Sequence, residues 1–226
     1  MLCLPAAIHA EDFDSLNTIV QRRRPLKRGN VLFSTGQKLD CIYVAREGAF
    51  KTVIFNSDGD SHVIGFHLPG EILGLDALGT SFHTCDAIAL TLADVCEIPL
   101  VDLERVAGHV PSLQHQLLKN IGQSMNRDQK HIELLSTRNA HERMAIFLHH
   151  LAERYQALGR SGQRFMIPMS REDIGSFLGL VIETVSRTLS KMQDEGLITV
   201  NGREVQILNQ DKLFGLAHEA PSRKIA

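Results

Sequence analysis

Residues 169–208 carry a pattern that few folds can satisfy. Ser170 stands three residues before Asp173, the spacing at which a serine and an acid cap a helix start reciprocally. Ile174, Phe177 and Leu178 then recur at helical spacing and make one inner face. Gly179 follows, where a left-handed turn costs a glycine nothing sterically. A second helix starts near Ile182, with Val185, Leu189 and Met192 inward at i, i+4 and i+7. Gly196 stops it, and apolar runs at 197–200 and 205–208 flank Asn201-Gly202, the signal of a type I′ hairpin. A helix-turn-helix followed at once by a hairpin reads as a winged helix rather than a plain helical hairpin.

The outward side of the second helix holds Glu183, Thr184, Ser186, Arg187, Ser190 and Lys191. Arg187 can donate a bidentate pair to guanine O6 and N7. Glu183 can accept from cytosine N4, and Ser186 can reach a base or a methyl group. Thr184, Ser190 and Lys191 suit phosphate contacts. An acid on such a helix is repelled by phosphates, so its presence points to base reading. Double-stranded DNA is the expected partner. Bulk charge does not carry this inference: 24 Lys+Arg against 26 Asp+Glu leave the 226-residue chain at net -2. The expectation therefore rests on the motif.

Upstream, the period of the sequence changes twice. Residues 11–24 read as a short helix ending in Arg22-Arg23-Arg24 and broken by Pro25. Short β-rich runs follow at 31–33, 41–45, 50–55, 63–66, 87–92 and 95–98, separated by glycine-rich turns. That spacing predicts a β-sandwich or barrel. After Pro111 the period is helical, and Leu117, Ile121, Met125, Ile132 and Leu135 follow one stripe. A helix over 111–136 would be about 39 Å long, and a long helix with one apolar stripe often pairs with its own copy. The alternative is that the stripe packs on its own domain. Asp128 interrupts the stripe, and in a two-fold seam it would face its own copy and repel it. It is expected to hold self-association near balance, unless it faces solvent or pairs with Arg127 or Lys130. Asn139 and Glu142 then open a helix over 140–157 as a capping box, with Gly159 as its stop.

Other classes find little support. There is no nucleophile elbow, phosphate-binding glycine loop or HExxH, so no enzyme is expected. The eleven histidines are scattered, and His149-His150 reads as a solvated helix face. No apolar run approaches a membrane span, and residues 1–10 make a poor signal peptide, so a cytoplasmic protein without membrane contact is expected. Cys3, Cys41, Cys85 and Cys96 form no CxxC and no disulfide framework. Cys41 and Cys85 read as small buried hydrophobes, whereas Cys3 is harder to explain by packing.

The whole chain resembles the CRP/FNR transcription regulators. The resemblance implies an α+β fold with a cyclic-nucleotide-binding-like β-roll at 27–110, after an N-terminal segment at 1–26. A dimerisation helix at 111–137 and a winged helix-turn-helix at 138–226 would follow. Ile182-Glu183-Thr184-Val185-Ser186-Arg187 looks like the recognition helix of the FNR branch. There the Glu, Ser and Arg read TTGAT-like half-sites in an inverted repeat. Gly65-Phe66-His67-Leu68-Pro69-Gly70-Glu71 and Cys96-Glu97-Ile98-Pro99 also resemble that branch. The cyclic-nucleotide branch holds its phosphate on an Arg-Ser/Thr-Ala step; here that stretch reads His83-Thr84-Cys85-Asp86-Ala87, so no cAMP is expected.

The resemblance implies an oxygen-responsive activator, a homodimer that touches RNA polymerase through loops such as 56–61, unless those are plain solvated turns. It also implies a 4Fe-4S cluster on four cysteines. Cys3-Leu4-Pro5 looks like the third ligand of an N-terminal run and Cys96 like the distant fourth, so the ligand set here is incomplete. Either the native start lies upstream of Met1, or the cluster is lost, or a partner completes a smaller one. The alternative function is a cluster-free regulator of the same family, controlled by thiol redox state, a small ligand or its own abundance.

Overall fold

The computed structural model describes residues 18–218. Cys3 and most of the helix expected over 11–24 lie outside them. The chain divides into two compact units, one up to Arg127 and one from Asp128.

Among the described residues of the first unit, eight strands form two four-stranded antiparallel sheets. β1 (Gln21–Arg22), β8 (Asp94–Pro99), β3 (Cys41–Glu47) and β6 (Ile72–Leu73) make one, in that order. β2 (Val31–Phe33), β7 (Asp86–Ala89), β4 (Phe50–Phe55) and β5 (Ser61–His67) make the other. The unbroken apolar run of β3 is what a strand buried on both faces requires. Tyr43 and Ala45 join Phe33, Phe50, Ala87 and Val95 in one core. Ile42 and Val44 join Cys96, Ile98, Leu103, Val106 and Leu113 in a second. This second core is closed by α1 (Leu100–Ala107) and the start of α2 (Pro111–Thr137).

Two expectations need correction. Gln21 and Arg22 are not the end of a helix: they pair with Glu97 and Cys96 at the edge of β8, and Arg23 adds an ion pair to Glu97 at 3.1 Å. Ladder bonds to an open sheet edge outweigh a weak helical propensity at a chain segment cut by Pro25. The helix α1, eight residues long, was not anticipated.

The second unit holds the end of α2, then α3 (Ala140–Ala157), β9 (Arg164–Met166), α4 (Arg171–Leu178), α5 (Ile182–Asp194), β10 (Ile198–Asn201), β11 (Glu204–Ile207) and α6 (Gln210–His218). Asn139 caps α3 in the expected reciprocal box with Glu142. Met144, Leu148 and Leu151 of α3 are fully buried, as are Ile174 and Leu178 of α4. His149 is also buried and meets Phe214 edge-on, so the pair His149-His150 is not a solvated face. The wing has three strands, ordered β10-β11-β9. Asn201 pairs with Glu204, so the loop is Gly202-Arg203, one residue later than expected. Gly202 has φ +60° and Arg203 is not left-handed, which replaces type I′ by the glycine-first type II′ arrangement. Among the described residues no helix is long and apolar enough to cross a membrane.

Candidate nucleic-acid interface

The turn between α4 and α5 is built by sequence-specific constraints at both helices. Ser170 Oγ accepts the amide of Asp173 and the Asp173 carboxylate accepts the amide of Ser170, which satisfies donors that a helix start leaves open. Gly179 ends α4 with φ +63°. Gly175 lets the chain double back: a Cβ there would lie 2.5 Å from the Leu180 carbonyl oxygen. The Leu180 amide meanwhile bonds the Gly175 carbonyl at 2.8 Å. Val185, Leu189 and Met192 then bury the inner side of α5.

That burial turns the other side of α5 outward. Glu183, Ser186, Arg187, Ser190 and Lys191 are exposed, and Thr184 is half-buried. Arg187 donates to Thr184 Oγ1 at 3.2 Å, which steadies the guanidinium without burying it. Lys191 lies 3.7 Å from Glu195, a loose exposed pair that leaves the ammonium available. The wing is tied to this helix, because the Val200 amide donates to Gln193 Oε1 at 2.9 Å. All six residues singled out from the sequence therefore sit on one helix, with one chemistry-bearing side.

Two residues were missed. Arg143 of α3 donates Nε to the Arg138 carbonyl, one terminal nitrogen to the Leu178 carbonyl and the other to the Leu135 carbonyl, at 2.7 to 2.8 Å. One cation thus serves the last turns of both α2 and α4, where carbonyls lack helical partners. His131 of α2 donates Nε2–H to the Phe177 carbonyl at 2.7 Å and stacks on the Phe177 ring at 4.0 Å. No local signal in the sequence marks either role.

Along α2 the large exposed apolar residues are Leu118, Met125 and Ile132, seven apart. Ile121 and Leu135 are half-buried and Asp128 is exposed. Leu117, expected on this stripe, packs against the second core instead. The spacing 118, 121, 125, 128, 132, 135 is a regular heptad repeat, with Leu118 in the place expected for Leu117.

Residues 142–215 match the family described as Crp-like helix-turn-helix domain, and residues 23–109 match that described as Cyclic nucleotide-binding domain. The chain is 43% identical over 216 residues to the transcriptional activator protein Anr of Pseudomonas protegens, covering 96% of this chain and 88% of that one. It is 38% identical over 216 residues to the fumarate and nitrate reduction regulatory protein of Escherichia coli K12, covering 96% and 86%. The chain belongs to the CRP/FNR family of transcription regulators. Among solved structures of the family, FixK2 from Bradyrhizobium japonicum superposes with a TM-score of 0.81 at 28% identity, covering 89% of this chain and 99% of that one. This CRP/FNR regulator is therefore a DNA-binding protein, and its relatives are not enzymes.

The sensor half of the regulator departs from nucleotide-holding chemistry. The Asp76 carboxylate accepts the Thr84 amide at 2.8 Å and the Thr84 hydroxyl at 3.4 Å, with His83 Nδ1 at 3.3 Å. A protein carboxylate thus occupies the donors of the stretch that the resemblance assigns to a cyclic phosphate. The cysteines fit a four-thiolate cluster poorly among the described residues. Cys96 is buried and takes part in a disulfide. Cys85 is buried, and desolvation and the Asp76 charge push its thiol far up, against thiolate formation. Burial raises Cys41 as well. No group of three or more His, Cys, Asp or Glu side chains among the described residues is arranged to hold a metal ion. Cys3, the other expected ligand, lies outside them.

Proposed function

We propose that this regulator binds TTGAT-like inverted repeats as a homodimer and controls transcription in response to oxygen or redox state. The observation that carries the reading is the exposed set Glu183, Ser186 and Arg187 on one side of α5. Each residue matches a major-groove partner in type. A two-fold dimer presents two such helices one helical turn apart, the spacing an inverted repeat requires. The heptad seam Leu118, Ile121, Met125, Asp128, Ile132 and Leu135 is the surface that supplies the two-fold pairing. The exposed turn after Phe55, held by Asn56 Oδ1 to the amides of Asp58 and Asp60, is a surface for RNA polymerase. The protein works in the cytoplasm, without cAMP.

Arg187→Ala tests the base-reading core of this proposal. The variant should lose about 1–3 kcal/mol on the repeat and relax its preference at one base pair. Equal losses on the repeat and on random duplex would refute it.

Oxygen control through a 4Fe-4S cluster draws on the likeness of Cys3-Leu4-Pro5 and Cys96-Glu97-Ile98-Pro99 to the FNR branch. Such a group, when bound, supplies oxygen-labile redox chemistry. A second reading, a cluster-free regulator governed by thiol chemistry, is favoured because burial raises the Cys41 and Cys85 thiols against ligation as thiolates. Iron and acid-labile sulfide in protein purified without oxygen separate the two. About four of each per chain supports the cluster. Iron near zero, with DNA binding that responds to a thiol reductant, supports the second.

A further inference from the structure

The N-terminal end of α5 presents two branched aliphatic residues to solvent. Val181 is 63% exposed and Ile182 38% exposed. Val181 occupies the N-cap and makes no side-chain bond to the open amides of the first turn. Ser, Thr, Asp or Asn would satisfy one of those amides, so valine there lowers local stability. Departures from local rules that bring no folding gain concentrate at functional sites. The inner side of α5 is supplied by Val185, Leu189 and Met192, and Ile182, at the edge of that side, keeps 38% of its surface exposed.

Its position in the helix gives it a task. Ile182 and Ser186 are four residues apart and therefore neighbours on one side of α5. Ile182 lies one turn nearer the helix N-terminus, the end that contacts base edges most directly in this docking mode. A butyl side chain can neither donate nor accept a hydrogen bond. Set against guanine, adenine or cytosine it would leave a groove-edge donor or acceptor without a partner. The C5-methyl of thymine is the apolar feature of the major-groove edge.

We propose that Ile182, flanked by Val181, is a specificity-determining residue that reads the 5-methyl group of one thymine in each half-site. The inference rests on the base-reading role of α5 proposed above, and adds an apolar reader beside the polar Glu183, Ser186 and Arg187. Contact with the methyl removes both groups from water, and the discrimination against a base lacking it is that of one buried methyl.

The test is a deoxyuridine scan of the full-length protein on an inverted-repeat duplex, followed by anisotropy. Each thymine, on either strand, is replaced in turn by deoxyuridine, which deletes only the methyl. The wild type should lose about fourfold in affinity per half-site at one position and little elsewhere. Ile182→Ala should bind the all-thymine duplex more weakly by a similar factor and be indifferent to the substitution at that position. Its far-ultraviolet circular dichroism spectrum should match that of the wild type, which reports an intact fold. Ile182→Val should retain the sensitivity. A wild type indifferent to every methyl deletion overturns the inference while leaving repeat recognition standing. So does an Ile182→Ala variant as sensitive as the wild type, since Ser186 or Thr184 would then be the methyl reader. A wild type with no preference for the repeat over random duplex removes the base-reading role, and this inference with it.

Discussion

Replacing Arg143 with alanine should destabilise the DNA-binding unit more than any surface change in it. The guanidinium makes three hydrogen bonds to backbone carbonyls of Leu135, Arg138 and Leu178, at 2.7, 2.8 and 2.8 Å. A hydrogen bond to a charged group contributes about 1.5–3 kcal/mol, and a carbonyl left without a donor costs a comparable amount when dry. Part of this is offset, because Arg138 and Gly179 are open enough for water to reach the site and because the variant no longer desolvates a cation. A net loss of about 3 kcal/mol results, equivalent to more than about 10 °C in melting temperature for a unit of this size. Urea unfolding followed by circular dichroism measures it, with an unchanged slope expected. Arg143→Lys places one ammonium where three donors diverged, and should recover no more than about half. A loss under about 1 kcal/mol for the alanine variant would mean that water serves these carbonyls as well as the guanidinium does.

Three further outcomes follow from named groups. Burial holds the His150 imidazole below its ordinary value of 6.5, so the folded chain resists a proton that the unfolded chain accepts. Stability from this group is therefore complete above about pH 6.5 and is lost as the pH falls towards the lower folded value; the drop in urea midpoint between about pH 7.5 and about pH 5.5 should shrink in His150→Gln. In native protein a small alkylating reagent should label Cys41 well before Cys85, since Cys41 is half-buried and Cys85 is buried with its thiol pushed up further; equal rates by mass spectrometry would contradict that ordering. Asp128→Ala should tighten the monomer–dimer equilibrium in sedimentation, and no tightening would remove the carboxylate from the seam.

The helix-turn-helix was legible because its determinants are local. Ser170 and Asp173, Gly179, and the i, i+4, i+7 set of α5 all act within a few residues, and each does in the structure what its chemistry dictates. The longer sheet strands were legible for the same reason, through runs such as Tyr43 to Ala45 between glycine turns. The two-residue strands β1 and β6 were not, since a pair of residues has no period. Leu117 and Leu118 expose a different limit: adjacent leucines fit one stripe equally well, and only packing against Leu113 and its neighbours decides which turns inward. Arg143 was beyond reach because its acceptors are backbone carbonyls five to thirty-five positions away, and carbonyls carry no sequence identity. The hairpin slipped by one residue because Asn201 and Gly202 satisfy the same turn signal while the ladder extends to Asn201 and Glu204.

Cys96 stands on β8 with β1 on one side and β3 on the other, and its side chain lies in the same core as Leu113, the buried first-turn residue of α2. Protein interiors are close-packed and scarcely compressible. The sulfur and the root of the long helix are therefore parts of one solid. A change in the volume or bonding of that sulfur therefore has to be accommodated within the same packed cluster that seats the helix base.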